Sequence, residues 1–383
     1  MRESIGVVIG TWLTVLLVAA ALLAATGYRT RDSDSRAYIT ITTHLVGEPA
    51  SRWIAPQWWG AFGLQGLFRE HPAGTFVPPA LLAKAGYPVA QSLFVVTLAC
   101  QIAALLTLSA LAARLAPASQ ARALVWTLQL IPIAFVFRVR ANQEYPLLAG
   151  LLLTVYAIER ARTSWPWVAV AIAGALYALL VKGVFALLAP VLAALWLWTR
   201  HRPVKEMVPA WTGLATVVLA MSVAAWGYER AYFATTGQSF FDYYLGARIA
   251  LEGSSTTTLP APIDKTGNVL WYAGRVLWYA APWSLIALAA VLPSIRARVP
   301  PLSRDWIRFA GMAALVTIVL IAARDTKADR YVFPAYFLAA SAGVVLACAR
   351  WPRVAVWAER LDRTWPWGPA ILWLLLVGVR ILT

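Results

Sequence analysis

The amino-acid sequence predicts an all-α polytopic membrane protein, with about eleven transmembrane helices and amphipathic juxtamembrane helices in the first outer loop. Of the 383 residues, 61% are hydrophobic and only 13% are charged, which is about half the charged share of an ordinary soluble domain. The apolar residues fall in blocks of about 20 between basic or polar clusters, the pattern of repeated bilayer spans. These blocks are too long for the alternating strands of an outer-membrane barrel.

The predicted spans are blocks of mostly apolar residues that together form a single domain over 1–383. The first block is too long for the apolar core of a signal peptide, so we interpret it as a retained span. Lys182-Gly183 interrupts one long apolar region, which could therefore be two spans or one broken helix. In chain order the spans lie at 5–25, 88–113, 121–137, 143–159, 165–181, 183–199, 208–227, 269–292, 306–323, 331–349 and 367–382.

Arginine-rich clusters occupy alternate short loops and predict the orientation of the chain. Short loops rich in Lys and Arg stay in the cytoplasm, so the N-terminus is expected inside and the C-terminus outside. The clusters contain Arg114 and Arg122; Arg160 and Arg162; Arg200, Arg202 and Lys205; Arg296, Arg298, Arg304 and Arg308; and Arg350, Arg353, Arg360 and Arg363.

Two long segments, 28–87 and 228–268, then form the first and second periplasmic loops. The first is rich in Trp and Pro, as expected of a segment that lies in the lipid headgroup layer. Its stretch 34–45 predicts an amphipathic helix with Tyr38, Ile41 and Leu45 on one face. The second loop contains a Gly-Ser-Thr run at 253–258, which is typical of a flexible loop.

The excess of basic residues points to an anionic partner. The formal net charge is +16, from 33 Lys and Arg against 17 Asp and Glu. No nucleic-acid-binding motif is present, so anionic lipid and an anionic substrate are the expected partners. Basic residues also cluster on the predicted outer face, against the positive-inside rule, and such a cluster predicts a bound phosphate. They are Arg138, Arg140, Lys182, Arg324, Lys327 and Arg330.

Acidic residues lie at the same predicted membrane depth. Asp32 and Asp34 follow the first span and could be a general base, metal ligands, or solvated acids balanced by neighbouring arginines. Glu144 opens a predicted span, as a second active-site carboxylate or as an acid that complements the helix dipole. Lys182 could instead extend to an interface, and 324–334 could be a solvated turn. Separate acids with several cations predict a transfer reaction in which phosphate leaves.

Other chemistry has little support in the sequence. His44 and His71 have no nearby paired ligands, which makes zinc a weak prediction. No cofactor is predicted, although a divalent metal ion at the acids remains possible. Cys100 and Cys348 lie inside apolar runs and are expected to fill them. The sequence contains no GxSxG, Walker or GxGxxG motif, which removes support for serine hydrolysis, ATP hydrolysis and hydride transfer.

Six short motifs in order resemble those of the C-type superfamily of polytopic glycosyltransferases. The similar branch holds the lipid A aminoarabinose transferase and the protein O-mannosyltransferases. Ser35 stands where that family usually has a second acid, and His71 where it often has Lys. The motifs are Asp34-Ser35-Arg36-Ala37-Tyr38; Trp53 through Gly60 to Glu70-His71-Pro72; Glu144-Tyr145-Pro146-Leu147; Leu180-Val181-Lys182-Gly183; Pro282-Trp283; and Lys327 to Tyr331 to Pro334.

The resemblance implies a glycosyltransferase that uses a polyprenyl-phosphate sugar at the periplasmic face of the bacterial inner membrane. An acceptor hydroxyl would attack the anomeric carbon with inversion while lipid phosphate leaves, and the acceptor could be a glycan, a lipid or a protein. Asp34 is expected to be the base, and Glu144 the second acid, orienting this region or holding a divalent ion. The donor phosphate is expected to bind Lys182, Lys327, Arg330, Arg140 and, more weakly, His71. The substrate pocket is expected to be lined by Tyr38, Asp32, Tyr331 and Trp58.

Two other classes of protein remain in consideration. A transporter or flippase of a lipid-linked sugar would also need cations for phosphate. It predicts paired halves and broken helices at the bilayer midplane, and the sequence shows no internal repeat. A non-catalytic scaffold of the envelope would leave the outer basic cluster unexplained.

Overall fold

The computed structural model describes residues 5–200, 203–246, 261–323 and 327–383. The predicted flexible loop at 253–258, together with Arg202 and Arg324, lies outside the described residues. In those residues the secondary structure is helical, apart from one isolated β-bridge between Gln57 and Leu67. The predicted all-α fold class is confirmed.

The first half of the chain contains the two helices of the first outer loop, α2 and α3, and most of the long apolar helices. In order the helices are α1 (Ile5–Thr26), α2 (Ser33–Gly47), α3 (Val77–Lys84), α4 (Val89–Ala112), α5 (Ala118–Thr127), α6 (Pro132–Phe137), α7 (Glu144–Ala161), α8 (Trp167–Lys182) and α9 (Leu188–Thr199).

The second half begins with the longest helix and ends with a bent pair. Its helices are α10 (Val204–Thr236), α11 (Phe240–Leu245), α12 (Ala261–Tyr279), α13 (Trp283–Leu288), α14 (Pro293–Arg296), α15 (Pro301–Ala322), α16 (Phe333–Arg350), α17 (Pro352–Asp362) and α18 (Trp367–Leu382).

Six spans among the described residues are long and apolar enough to cross a membrane, and two bent helix pairs bring the total to as many as eight. The predicted number of about eleven is not confirmed. The bent pairs are α12 with α13, at 120°, and α17 with α18, at 88°. The six spans are Ile5–Thr26, Val89–Ala112, Trp167–Thr199, Lys205–Thr236, Pro301–Ala322 and Asp329–Arg350.

Several predicted spans differ from the helices that form. The block at 121–137 is divided into α5 and α6, and Pro132 opens α6 because its fixed φ suits the first helical turn. The blocks at 165–181 and 183–199 form α8 and α9, which run in opposite directions on either side of the break at Gly183, because Lys182 lies beside Glu144 at the start of α7 and Arg200 beside Glu159 at its end. The helix predicted at 208–227 is longer than predicted and extends as α10 to Thr236.

Small residues allow the helices to approach closely. A Cβ atom on Gly150 of α7 would lie 2.7 Å from the carbonyl oxygen of Gly174 in α8. A Cβ atom on Gly343 of α16 would lie 1.8 Å from the carbonyl oxygen of Trp283 in α13. Glycine at such contacts lets two helix backbones pack directly against each other, as is typical of membrane helix interfaces.

The charged residues lie at two opposite ends of the helices. At one end, which we call the arginine-rich face, Arg200 lies 3.5 Å from Glu159, and Arg308 donates to the carbonyl oxygen of Thr199. Arg122 forms an ion pair with Asp362 at 2.5 Å on this face. The other end, which we call the site face, holds the start of α2, the start of α7 and the end of α8.

The first outer loop packs onto the site face. Helix α2 buries Tyr38, Ile41 and Leu45, the face predicted from the sequence. Trp53 and Trp58 are also buried, and the hydroxyl of Tyr228 in α10 donates to the carbonyl oxygen of Ile54 at 2.9 Å. The loop is therefore a folded cap that rests on the outer part of α10.

Candidate functional site

The start of α2 is tied to the segment that precedes α7. Asp32 caps α2 by accepting hydrogen bonds from the backbone N–H of Ser35 at 2.9 Å and from its hydroxyl at 2.6 Å. The Ser35 oxygen in turn accepts the backbone N–H of Ala141 at 2.9 Å. A hydroxyl can donate once and accept as well, so Ser35 joins the two segments where a carboxylate could only accept.

Two ion pairs lie beside this junction. Asp32 Oδ1 lies 3.5 Å from Arg140 Nη1, and the Arg140 guanidinium also packs over the Phe137 ring at 4.8 Å. Asp34, in the first turn of α2, forms an ion pair with Arg330, which is 296 positions away in the sequence. Both members of this second pair remain partly exposed, so a ligand can reach them.

A third ion pair is buried. Lys182 Nζ at the end of α8 lies 2.9 Å from Glu144 Oε1 at the start of α7. The Lys182 ammonium also lies 5.2 Å from the Phe185 ring and 5.8 Å from the Tyr331 ring. A charge buried in this way needs its partner, because either group alone would lose its hydration without compensation.

Tyr38 lies at the centre of the candidate site. Gln143 donates a side-chain hydrogen bond to the Tyr38 hydroxyl, and His71 Nε2 lies 3.1 Å from the same oxygen. His71 Nδ1 lies 2.9 Å from the carbonyl oxygen of Pro72. A carbonyl oxygen can only accept, so Nδ1 carries a proton, and Nε2 lies within hydrogen-bond distance of the Tyr38 hydroxyl.

Burial also determines the protonation of this phenol. Burial raises the pKa of Tyr38 well above its ordinary value, and the nearby negative charge of Glu144 raises it further. The Arg330 charge acts in the opposite direction but does not cancel these effects. Tyr38 is therefore a neutral hydrogen-bonding group rather than a base.

The segment that carries Arg330 is held in place by contacts from α12 and α16. Asp329 Oδ1 lies 3.2 Å from the Nε atom of Arg275 in α12. The hydroxyl of Tyr336 donates to the carbonyl oxygen of Asp329 at 3.0 Å. These contacts position the neighbouring Arg330 side chain towards α2.

The structure brings together most of the residues that the sequence proposed. Of the remaining two, Trp58 packs on Phe68 at a ring distance of 4.7 Å, one layer behind Tyr38. Lys327 is exposed and forms no ion pair within the described part of the chain. The residues that come together are Asp32, Asp34, Tyr38, His71, Arg140, Glu144, Lys182, Arg330 and Tyr331.

Sequence reasoning missed two residues of the site. Gln143, which directly precedes Glu144, bonds to Tyr38. Arg275, which supports Asp329, is a lone cation inside the span predicted at 269–292. An ionisable residue in an apolar span is itself a signal of function, so Arg275 could have been found.

The candidate acids do not fit a metal site. Within the described ranges, no three His, Cys, Asp or Glu side chains are placed to hold a metal ion. Glu144 is occupied by Lys182, and Asp34 by Arg330.

The chain is similar to crystal structures of ArnT from Cupriavidus metallidurans. In the apo state, the alignment covers 93% of this chain and 62% of ArnT, with 15% identity and a TM-score of 0.65. With undecaprenyl phosphate bound, it covers 99% of this chain and 76% of ArnT, with 15% identity and a TM-score of 0.67. The chain has the fold of these ArnT structures.

This likeness extends over nearly the whole chain but rests on the fold. No protein-family model matches the sequence, and no curated protein matches it either. The chain spans less than two thirds of the length of the apo ArnT structure. The shared fold agrees with the resemblance seen in the sequence motifs and with a multi-pass membrane protein.

Proposed function

We propose that the chain is a membrane glycosyltransferase that takes a sugar from a polyprenyl-phosphate donor. The observation that carries this proposal is the convergence of two ion pairs, Asp34 with Arg330 and Glu144 with Lys182, on the site face of a C-type fold. One of the similar ArnT structures binds undecaprenyl phosphate, which is the lipid phosphate that such a reaction releases.

The cations have the chemistry required for the leaving group. Phosphate leaves without a general acid, but it needs positive charge where its negative charge develops. Lys182 and Arg330 supply this charge from fixed positions, and a guanidinium can bind two phosphate oxygens at once. Arg140 and the exposed Lys327 add further charge, and His71 donates only if it is protonated.

The transfer is a single displacement. The acceptor oxygen forms a bond to the anomeric carbon while the bond from that carbon to the phosphate oxygen breaks. The electron pair of the broken bond leaves with the lipid phosphate, and the acceptor proton passes to the Asp34 carboxylate. Attack from the side opposite to the leaving group inverts the anomeric configuration.

Asp34 and Arg330 form a resting pair that the donor phosphate would disturb. A carboxylate held by a guanidinium in an ion pair does not face an acceptor hydroxyl. When the donor phosphate engages Arg330, Asp34 is released to face the acceptor hydroxyl. Base catalysis is in this way linked to occupation of the donor site.

The remaining site residues position these groups. Glu144 holds the Lys182 ammonium, and Asp32 caps α2 so that Asp34 stands in its first turn. Tyr38 and Tyr331 line the sugar path. The arginine-rich face lies in the cytoplasm with the N-terminus, so the reaction takes place at the periplasmic face of the bacterial inner membrane.

A flippase for a lipid-linked sugar is the second candidate. The break at Lys182-Gly183 and the 120° bend between α12 and α13 are features that transporters also use. A flippase does not explain the carboxylates that converge on the site face, and the sequence lacks the repeated halves expected of one.

The proposal is tested with purified protein and a panel of radiolabelled polyprenyl-phosphate sugars. Release of free polyprenyl phosphate is compared for the wild type, Asp34→Asn and the control Asp242→Asn, an exposed acid of α11. We expect release by the wild type and the control, with a loss of about 10²–10⁴-fold in Asp34→Asn. Donor that binds and crosses liposomes but is never cleaved would support the flippase instead.

A further inference from the structure

A large cavity lies between α12–α13, α15 and α16. Its volume is about 780 Å³, which falls in the range of roughly 300–1,000 Å³ that is typical of ligand sites. The bend between α12 and α13 opens it, because α13 turns away from the direction of α12. Most of its wall is apolar.

One face of α15 forms the length of the cavity. Arg304, Arg308, Gly311, Leu315 and Ile318 all line it, at the spacing of three or four residues that places side chains on one helix face. The face is cationic at its first turns and apolar beyond them. Small and aliphatic residues form the opposite wall: Ala339, Ala342 and Leu346 of α16 and Ala273, Val276 and Leu277 of α12.

Three arginines mark one end of the cavity, against a single acid, Asp305. Arg304 Nη2 donates to the carbonyl oxygen of Val299 at 3.1 Å, and Arg308 Nη2 donates to that of Thr199 at 3.2 Å. These contacts hold both guanidinium groups, and their positive charge, at this end of the cavity. The third, Arg296, is exposed at the mouth.

This cationic end lies far from the candidate active site. Helix α15 begins at Pro301 beside the arginines and ends at Ala322, and a helix of that length spans about 33 Å. At the far end, Lys265 and Asn268 of α12 donate to the carbonyl oxygens of Ala323 and Ala322. The arginine end therefore belongs to the arginine-rich face, across the membrane from Arg330.

We propose that this cavity binds an anionic glycerophospholipid from the leaflet at the arginine-rich face. The phosphate of the headgroup lies among Arg296, Arg304 and Arg308, and an acyl chain lies along the apolar wall. Basic pockets between transmembrane helices bind anionic headgroups in this way. The sugar donor is a different occupant, because its phosphate belongs at the site face.

Two substitutions test the binding site of the lipid headgroup and that of its acyl chain separately. Arg296→Gln removes one charge at the mouth, and its matched control is Arg298→Gln, an exposed neighbour that does not line the cavity. Gly311→Leu fills the cavity, because a Cβ atom there meets no atom within 4 Å. Its control is Gly227→Leu, which does not line this cavity and where a Cβ atom also meets nothing within 4 Å.

Binding is measured by native mass spectrometry of the detergent-purified chain. Phosphatidylglycerol, phosphatidylcholine with the same acyl chains, and undecaprenyl phosphate are titrated in turn. We expect phosphatidylglycerol to bind at least tenfold more tightly than phosphatidylcholine, and about fivefold more weakly in Arg296→Gln. Gly311→Leu should abolish this binding, and both controls should match the wild type.

Three results would overturn the proposal. Equal binding of the two phospholipids would remove the headgroup site. Unchanged phosphatidylglycerol binding by Gly311→Leu would place the lipid elsewhere. If Gly311→Leu lost binding of undecaprenyl phosphate but kept binding of phosphatidylglycerol, the cavity would be assigned to the polyprenyl tail of the donor.

Discussion

Lys182 and Glu144 form a buried ion pair that joins two helices: Nζ lies 2.9 Å from Oε1, and the side chains are only 6% and 2% exposed. Glu144 opens α7, where a negative charge also complements the helix dipole. Lys182 closes α8 just before the break at Gly183. The pair therefore fixes the relative position of both helices and places one cation at the site face.

Breaking this pair should reduce both stability and activity. Lys182→Met leaves the Glu144 carboxylate buried without its partner, which costs about 3–5 kcal/mol of folding free energy. It also removes positive charge from the leaving phosphate, and we expect a loss of about 10²–10³-fold in lipid-phosphate release. Thermal unfolding in detergent and the release assay measure the two effects.

The double variant Lys182→Met/Glu144→Gln separates the effect on stability from the effect on activity. Removing both charges should restore most of the thermal stability, because no buried charge remains unpaired, and it should leave release as low as in Lys182→Met. Recovery of release together with stability would show that Lys182 is only structural.

Arg330 should act on donor affinity through its planar group as well as its charge. Arg330→Lys retains the charge but loses the two-point contact, so we expect the KM for the donor to rise about tenfold, and further in Arg330→Gln. Arg31→Gln, an exposed arginine of the same outer loop, is the control. An unchanged KM in Arg330→Gln would remove this residue from the donor site.

Tyr38 should contribute to activity through its hydrogen bonds, and its phenol should keep its proton across the pH range of the assay. Its raised pKa keeps the phenol neutral, so its stabilising effect is fully present below the ordinary value of about 10 and is lost as pH rises through the higher folded value. Tyr38→Phe should lower activity about tenfold by leaving Gln143 and His71 without this partner. The shape of the pH profile between about pH 6 and about pH 9 should not change; a shifted alkaline limb would contradict this prediction.

The contact between α13 and α16 should tolerate only glycine at position 343. A methyl group in Gly343→Ala would lie 1.8 Å from the Trp283 carbonyl oxygen, so the helices must separate, at a cost of about 1–3 kcal/mol or more. Gly311→Ala, with open space around its Cβ, should be neutral or slightly stabilising. Equal unfolding temperatures of the two variants would disprove the close contact.

Hydropathy predicted the positions of the long helices well, because burial in a bilayer demands continuous apolar runs. It could not predict the division of 121–137 into α5 and α6, because an average over a long window conceals Gln129 and Pro132, where one helix has ended and the next begins. It could not foresee the bend between α12 and α13 either, because helix direction depends on packing against α16.

The sequence predicted which residues belong to the candidate site, but it did not predict which acid pairs with which cation. Charged residues against the topology rule identified Lys182 and Arg330, and the motif order identified Asp34 and Glu144. Which acid faces which cation depends on long-range packing: Asp34 and Arg330 are 296 positions apart in the sequence. The role of Ser35, which accepts from Ala141, also depends on a contact that the sequence pattern does not contain.

The three ion pairs of the site each balance their own charge, and this balance bears on turnover. A donor phosphodiester carries one negative charge, whereas the released phosphate monoester carries about −1.5 to −2 near neutral pH. In the proposed reaction, the same cations would therefore hold the product more strongly than the donor. Escape of the spent lipid, rather than cleavage of the sugar bond, would then limit the rate, and added polyprenyl phosphate would act as a competitive inhibitor.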